Sequence, residues 1–431
     1  MQDLSKCGSI YAADPARVRG GTRPDGKLVN TPVSGYSGID TLCFREVVGS
    51  MSTQSEHEAV GSVPSAPLRE NTFSVIGKVE SPRQQWFVHG LKRVMTARGH
   101  VFHEEPIPDI RLVMNMVDIE NPQPYRRKAQ GTFVTAVVEL DEMPEQIMHA
   151  GYPYLLYALA NLVILLVPGK NGAEAHFLTL EQGHYTVRHE AGNDEQFFAE
   201  IYERLQPLAS SRLVINNEFL TDLEEELWDG DHITEQIKRA GRTLDELNLL
   251  PAPFPMENFL SPKEMRHVKR LYGIGGLSYG NLSARLDDTR FWMSASGVDK
   301  AKLEEIGRDI MLVTGFDEER PAMIISVPPN VEPRRVSVDA IEHWMIYQEH
   351  PEVGAIIHVH AWVDGIRSTE MNYPCGTIEL AEAVAELVRQ EPDPGHAIIG
   401  LRNHGITVTG ESIDEILQRL EGKIVPQVPM S

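Results

Sequence analysis

The chain has 431 residues, with 62 Asp or Glu against 40 Lys or Arg, and a formal charge of −22. That balance argues against wrapping a phosphate backbone, because affinity for nucleic acid comes from neutralising phosphates with Lys and Arg. The length predicts two or three domains, the 42% hydrophobic composition is ordinary for a globular protein, and three scattered cysteines (Cys7, Cys43, Cys375) argue against a disulfide framework and for a reducing, cytoplasmic setting.

Residues 1–70 are rich in Gly, Ser, Pro and polar side chains without a period of 2 or 3.6, which predicts a disordered leader. Met51, followed by Ser-Thr-Gln-Ser, reads as an ordinary start, so Met1 and Met51 are both open as the first residue. The N-terminus shows no basic patch followed by an apolar core, so no secretory signal is expected.

Residues 73–230 read as a separate smaller α/β domain of unassigned role. Pro82 and the apolar set Trp86, Phe87, Val88, Leu91, Val94 and Met95 predict a helix. Ile110–Val117 and Thr132–Leu140 are β-rich, and a helix is expected from Glu142 to Asn161 with Pro144 in its first turn. The apolar run Tyr154–Val167, interrupted by Asn161, is too short to span a membrane and predicts a buried helix entering a core strand. Strands at Ala175–Leu180 and Tyr185–His189 and a helix near Glu195–Leu208 complete this part. Its histidines (His100, His103, His176, His184, His189) have no ligand spacing, and the acidic run at residues 222–229 reads as a solvated face. Residues 231–257 are expected to hold a helical segment and a linker stiffened by Pro251, Pro253 and Pro255.

Residues 258–431 form the last expected domain. Ser261-Pro262-Lys263-Glu264 is a helix start with a capping box, and that helix ends at Gly273. A strand follows through Asn281–Arg285, then Phe291–Gly297, then a helix near Lys302–Ile306. A helix from about Val338 to Glu349 leads into Val353–His360. On a strand, side chains i and i+2 share a face, so His358 and His360 can offer two imidazoles to one ion. A second apolar run, Ala397–Leu401, leads to Asn403-His404-Gly405 and suggests a third ligand, with satisfied core histidines as the alternative. A helix at Ser412–Leu420 follows.

The series Gly280-Asn281-Leu282-Ser283, Ser296-Gly297, His358-Val359-His360, Gly376-Thr377-Ile378-Glu379-Leu380-Ala381 and Asn403-His404-Gly405 resembles the class II aldolase/adducin domain. Its order is similar to that of the fuculose-phosphate aldolase and ribulose-phosphate 4-epimerase branches, over about residues 258–420. The resemblance implies an α/β/α domain and a divalent metal held by His358, His360 and His404. Zinc is preferred, with manganese or iron as the other choices. It implies a catalytic carboxylate nineteen positions before the first histidine (358 − 19 = 339), at Asp339. It implies substrate-phosphate binding by Asn281, Ser296, Gly297 and Ser337, and a homo-oligomer, commonly a tetramer.

The function so implied is a metal-dependent carbon–carbon lyase of carbohydrate metabolism. It would act on a small hydroxy-carbonyl or sugar-derived substrate through a metal-stabilised enediolate. An epimerase or decarboxylase on the same site, or a non-catalytic adducin-like scaffold, are the alternatives. Three departures stand out. Val338 occupies a place where sugar-phosphate members carry serine, the stretch from His360 to His404 is short, and no tyrosine follows Tyr373. The proton donor is therefore expected elsewhere, with the N-terminal domain a candidate source.

Overall fold

The computed structural model describes residues 70–129, 131–170, 172–179, 183–250, 262 and 279–430. The expected leader up to residue 69, the linker prolines and all but one residue of the helix beginning at Ser261 lie outside the described residues.

The first sheet contains β1 (Thr72–Gly77), β2 (Val101–His103), β3 (Leu112–Met116), β4 (Phe133–Glu139), β5 (Leu162–Gly169), β6 (Gly172–Thr179) and β7 (Gly183–Arg188). Their order is β2-β1-β3-β4-β5-β6-β7. The first five run parallel, and two antiparallel pairings append β6 and β7. Helices α1 (Pro82–Ala97) and α3 (Asp194–Ser210) cover one face, packing Phe87, Leu91 and Met95 with Phe197, Phe198 and Ile201. Helix α2 (Ile147–Tyr157) covers the other through Tyr152 and Leu155. With both faces covered, β5 is continuously apolar from Leu162 to Val167, as a buried parallel strand should be. Ser81 caps α1 with a full capping box, and Asn193 caps α3.

The second sheet contains β8 (Asn216–Leu220), β9 (Asn281–Arg285), β10 (Phe291–Ser294), β11 (Ile310–Asp317), β12 (Ala322–Ser326), β13 (Ala355–Val359), β14 (Ile398–Leu401) and β15 (Gly405–Gly410). Their order is β14-β15-β13-β9-β10-β11-β12-β8, antiparallel except at β12/β8. Helices α4 (His232–Glu246) and α7 (Ile413–Leu420) contact each other, α4 also touching β9 and β10, and α7 touching β13 and β15. Helices α5 (Ala340–Glu349) and α6 (Ile378–Arg389) form a second contacting pair, reaching β11 and β14 respectively. The chain is thus an α/β protein with helices on its sheets. None of the described helices is long and apolar enough to cross a membrane.

Three expectations are corrected. The domain boundary expected at 230 moves back to the segment after α3, because β8 pairs with β12 and Val214, Leu223, Ile237, Ala240 and Leu244 belong to the second core. Strand β8 gives β12 a partner, and the apolar stripe of α4 finds its cover there. The helix expected from Glu142 begins only at Ile147, leaving Pro144 ahead of it and Pro153 inside; Gln146 stands at its cap with no side-chain bond. The helix near Lys302–Ile306 is a single 3₁₀ turn at Lys300–Lys302, capped by Asp299, after which Ile306 bridges Ile310. Too few residues separate these two anchors for an α-helix to propagate.

Asp231 fixes α4 on the sheet twice over. One carboxylate oxygen caps the helix through the Ile233 and Thr234 amides, and the other accepts from Trp292 Nε1 at 3.0 Å. Further along, Gly241 lets α4 approach the 3₁₀ turn, since a Cβ there would lie 1.9 Å from the Lys300 carbonyl oxygen. Gly241→Ala gains up to about 1 kcal/mol of helix propensity. It loses about 1–3 kcal/mol to overpacking against backbone that cannot rotate away. The clash is expected to win, and thermal unfolding of Gly241→Ala should fall by several degrees; an unchanged or raised melting temperature would contradict the close approach.

Candidate metal centre

Strand β13 lies between β9 and β15, with all five residues buried. This places His358 opposite Asn281 on one side and Thr407 on the other. His358 Nδ1 lies 3.1 Å from the Ile406 carbonyl and can only donate to it. That fixes the tautomer and leaves Nε2 as the lone-pair nitrogen. His360 follows directly after the strand. His404 sits in the three-residue turn between β14 and β15, where Asn403 takes a left-handed conformation (φ 57°) that asparagine tolerates well.

The turn brings His404 Nε2 to 3.1 Å from His360 Nε2. The three rings lie 4.7–5.2 Å apart, centroid to centroid. One ligand nitrogen from each lies within 4.8 Å of the others, the one such cluster of His, Cys, Asp or Glu among the described residues. The His360–His404 distance also suits a hydrogen bond between imidazoles. What separates this cluster from a satisfied pair is His358 Nε2, buried without a hydrogen-bond partner in a residue 1% exposed. Burial pushes His358 down to about 4 and His404 to about 3, and holds His360 well below its ordinary value. All three imidazoles are neutral at neutral pH, the form that binds a metal. The donor set fits a divalent ion.

Asp339 stands at the start of α5 and is 6% exposed. Its Oδ2 accepts from Asn281 Nδ2 at 2.8 Å, and its Oδ1 has no hydrogen-bond partner. Burial raises its pKa, opposed by His404, the Gly376 N–H, Asn281 and Lys300. One helical turn later Glu342 is fully enclosed, and its Oε1 accepts from Thr407 Oγ1. Burial first, and then the charge of Asp339, push Glu342 up to about 8. Beside them His343 Nδ1 lies 2.7 Å from Ser283 Oγ, itself 2.8 Å from the Tyr347 hydroxyl. Lys300 is 3% exposed, and burial lowers it to about 8 against the pull of Asp339 and Asp299.

The structure therefore brings His358, His360 and His404 together and sets Asp339 and Asn281 beside each other. Asn281, expected at a substrate phosphate, has its amide engaged on Asp339 instead. Ser296, Gly297 and Ser337 gather at a neighbouring point, where Ala295 bridges Val336: Ser296 N donates to Arg335 O and Ser337 N to Ser294 O. Sequence reasoning missed Glu342 and Lys300. Glu342 was discoverable, because i and i+3 share a helix face with Asp339. A lysine in a polar loop gives no such signal.

Glu342 carries a pH dependence whose sign follows from its raised value. Between its ordinary 4.5 and about 8 the folded chain keeps a proton that the unfolded chain releases. Its contribution to stability is complete below 4.5 and is lost as pH rises through about 8. In metal-stripped protein, Glu342→Gln should flatten the decline of melting temperature across that window. An equally steep decline in the variant would assign the proton to another group.

Residues 265–363 match the family model described as the Class II Aldolase and Adducin N-terminal domain, a span that includes Asp339, His358 and His360. Over 144 residues the chain is 33% identical to a methylthioribulose-1-phosphate dehydratase of Stenotrophomonas maltophilia, covering 32% of this chain and 61% of that protein. A dehydratase of the same name from Citrobacter koseri is 26% identical over 174 residues, covering 33% of this chain and 78% of that one. The chain spans 41% and 61% of the length of two S. maltophilia relatives that it matches. A solved L-fuculose 1-phosphate aldolase aligns with a TM-score of 0.31 at 20% identity, over 44% of this chain and 82% of that one. With the matched segment carrying two histidines of the cluster and the carboxylate beside it, the C-terminal part of this chain contains a domain of the class II aldolase/adducin family.

Proposed function

We propose that the C-terminal domain is a metal-dependent lyase acting on a small hydroxy-carbonyl substrate. It removes a proton alpha to the carbonyl and releases the group beta to it. The observation that carries this reading is the partnerless Oδ1 of Asp339, a buried base beside three buried imidazoles. A divalent ion held by His358, His360 and His404 would supply Lewis-acid polarisation of the carbonyl. Asn281 holds Oδ2 of the Asp339 carboxylate, and this amide and the Gly376 N–H oppose the burial that raises its pKa. That orientation leaves Oδ1 to take the proton. Glu342, protonated at neutral pH, adds no second negative charge against it.

Release of water as the beta group agrees with the dehydratase names of the relatives. Carbon–carbon cleavage, as implied by the resemblance to aldolases, would use the same groups differently: the base takes the proton of the β-hydroxyl, the Cα–Cβ bond breaks, and its electron pair stays on the carbonyl fragment as the enediolate. An adducin-like scaffold has no use for a buried nitrogen without a partner. Zinc suits neutral imidazoles best, with manganese or iron as substitutes. A homo-oligomer remains part of the proposal.

Elemental analysis of purified protein should find about one divalent ion per chain. His358→Ala, His360→Ala and His404→Ala should each lower occupancy sharply with the far-ultraviolet dichroism retained, and full occupancy in all three would remove the metal assignment. The carboxylate is tested by solvent deuterium exchange into a panel of hydroxy-ketones. Asp339→Asn should keep its metal yet exchange on the order of 10²–10⁴ more slowly, the scale of a general base. Exchange at the wild-type rate would make Asp339 structural.

A further inference from the structure

Beside the three histidines lies a group that neither the family motifs nor the proposed reaction uses. Cys375 Sγ is 3.3 Å from His404 Nε2, the same nitrogen that lies 3.1 Å from His360 Nε2. These distances can be compared with those around a tetrahedral zinc, where imidazole nitrogens sit at about 2.0–2.1 Å and a thiolate sulfur at about 2.3 Å. At tetrahedral angles such bonds separate two nitrogens by about 3.3 Å and a nitrogen from a sulfur by about 3.5 Å. The two histidines are thus already spaced like ligands of one ion, while the sulfur, also 3.8 Å from His404 Nδ1, stands off the edge of that ring and needs a side-chain rotation to reach the ion. The third histidine adds an independent sign, since its buried Nε2 has no partner.

The backbone at Cys375 is held in place, so the turn toward the ion is a rotation of its side chain alone. Gly376 adopts φ 71°, and a Cβ on it would lie 2.9 Å from the Val338 carbonyl. Its N–H serves the Asp339 carboxylate, and its carbonyl accepts from Val214 N at 2.7 Å. The residue next to Cys375 is therefore tied on one side to the carboxylate and on the other to the strap leaving α3.

Resting on the metal reading of the histidines, we propose that Cys375 is a fourth, exchangeable ligand of the ion they hold. The three histidine nitrogens form a mutually close set that does not include the sulfur, so Cys375 stands at its rim against His404. A ligand there completes the coordination of the ion in the absence of substrate and gives way when substrate enters. It also sets metal preference, because a soft thiolate favours zinc, cobalt or ferrous iron over magnesium or calcium.

The test uses the full-length chain, stripped with a chelator and loaded with cobalt(II) alone. Wild type should show a thiolate-to-cobalt charge-transfer band in the near ultraviolet together with the visible bands of a bound ion. Cys375→Ser should lose the near-ultraviolet band, retain bound cobalt, and bind it roughly tenfold or more weakly, as loss of metal-supporting contacts usually does. The double variant Cys7→Ser/Cys43→Ser should keep the band, which assigns it to Cys375. Where Cys375→Ser does not fold, wild type and the double variant decide the question alone. Stoichiometric cobalt without a charge-transfer band in wild type, or a band that survives in Cys375→Ser, overturns the inference and leaves the histidine centre standing. Failure of wild type to bind cobalt at all overturns both together.

Discussion

Buried imidazoles and carboxylates are costly unless each is held by a neighbour, a proton or an ion. The second sheet is arranged around that constraint at the end of β13. Pairing with β15 gives His358 the Ile406 carbonyl on Nδ1 and sets Thr407 to donate to Glu342. Pairing with β9 sets Asn281 opposite His358, from where its amide reaches Asp339. His358, Thr407 and Asn281 are thereby oriented by register. A slip of one residue in either pairing would turn the slipped strand's side chains to the other face and break that pairing's share of these contacts. Among the demands that the pairing leaves unmet are the lone pair on His358 Nε2, which a cation would answer, and Oδ1 of Asp339.

The two carboxylates on α5 show how charge is managed there. Burial raises the Asp339 carboxyl, and His404, the Gly376 N–H, the Asn281 amide and buried Lys300 pull against that rise. Glu342 has a single hydroxyl donor and the repulsion of Asp339, so it holds its proton. Burial raises both carboxyls, one helical turn apart, but Asp339 has four opposing influences and Glu342 only one. Glu342, with its proton held, stands as a neutral side chain beneath the strands.

Much of this was legible in the sequence, and the reasons differ by element. The alternation of His358 and His360 on an apolar strand carried its own geometry, and the family motif located His404 and Asp339. Helix α1, with Ser81, Pro82 and a clear apolar face, could be read from local signals. Strand β8 could not: its residues Asn216–Leu220 are only partly buried, and only the partner strand β12 makes them a strand. The late start of α2 also depended on context, since Pro144 suits a first turn but the backbone around it stays irregular. Lys300 was illegible for a different reason. Its burial follows from the approach of α4 at Gly241, a contact made across the fold.

The junction between the sheets explains why the N-terminal part matters to a site whose ligands all lie in the C-terminal part. The strap after α3 pairs with the segment following Cys375: Leu213 bridges Thr377, Ile378 N donates to the Arg212 carbonyl, and Arg212 pairs with Glu379. On β7, Tyr185 is buried at 6% exposure and hydrogen-bonds Asn372, just ahead of the same segment. Burial pushes its hydroxyl up to about 12, and Arg204 and Arg402 pull it back only in part. A phenol so placed is a weak acid already engaged, which suits an anchor better than a proton donor. Residues 372–378 are therefore held at one end by β7, at the other by the strap after α3, and in the middle by Asp339. A loop tied in this way keeps Cys375 and the Gly376 N–H in register with His404 and Asp339 at little further entropic cost. The first sheet acts on the centre through that loop, by limiting how far one wall of the site can move.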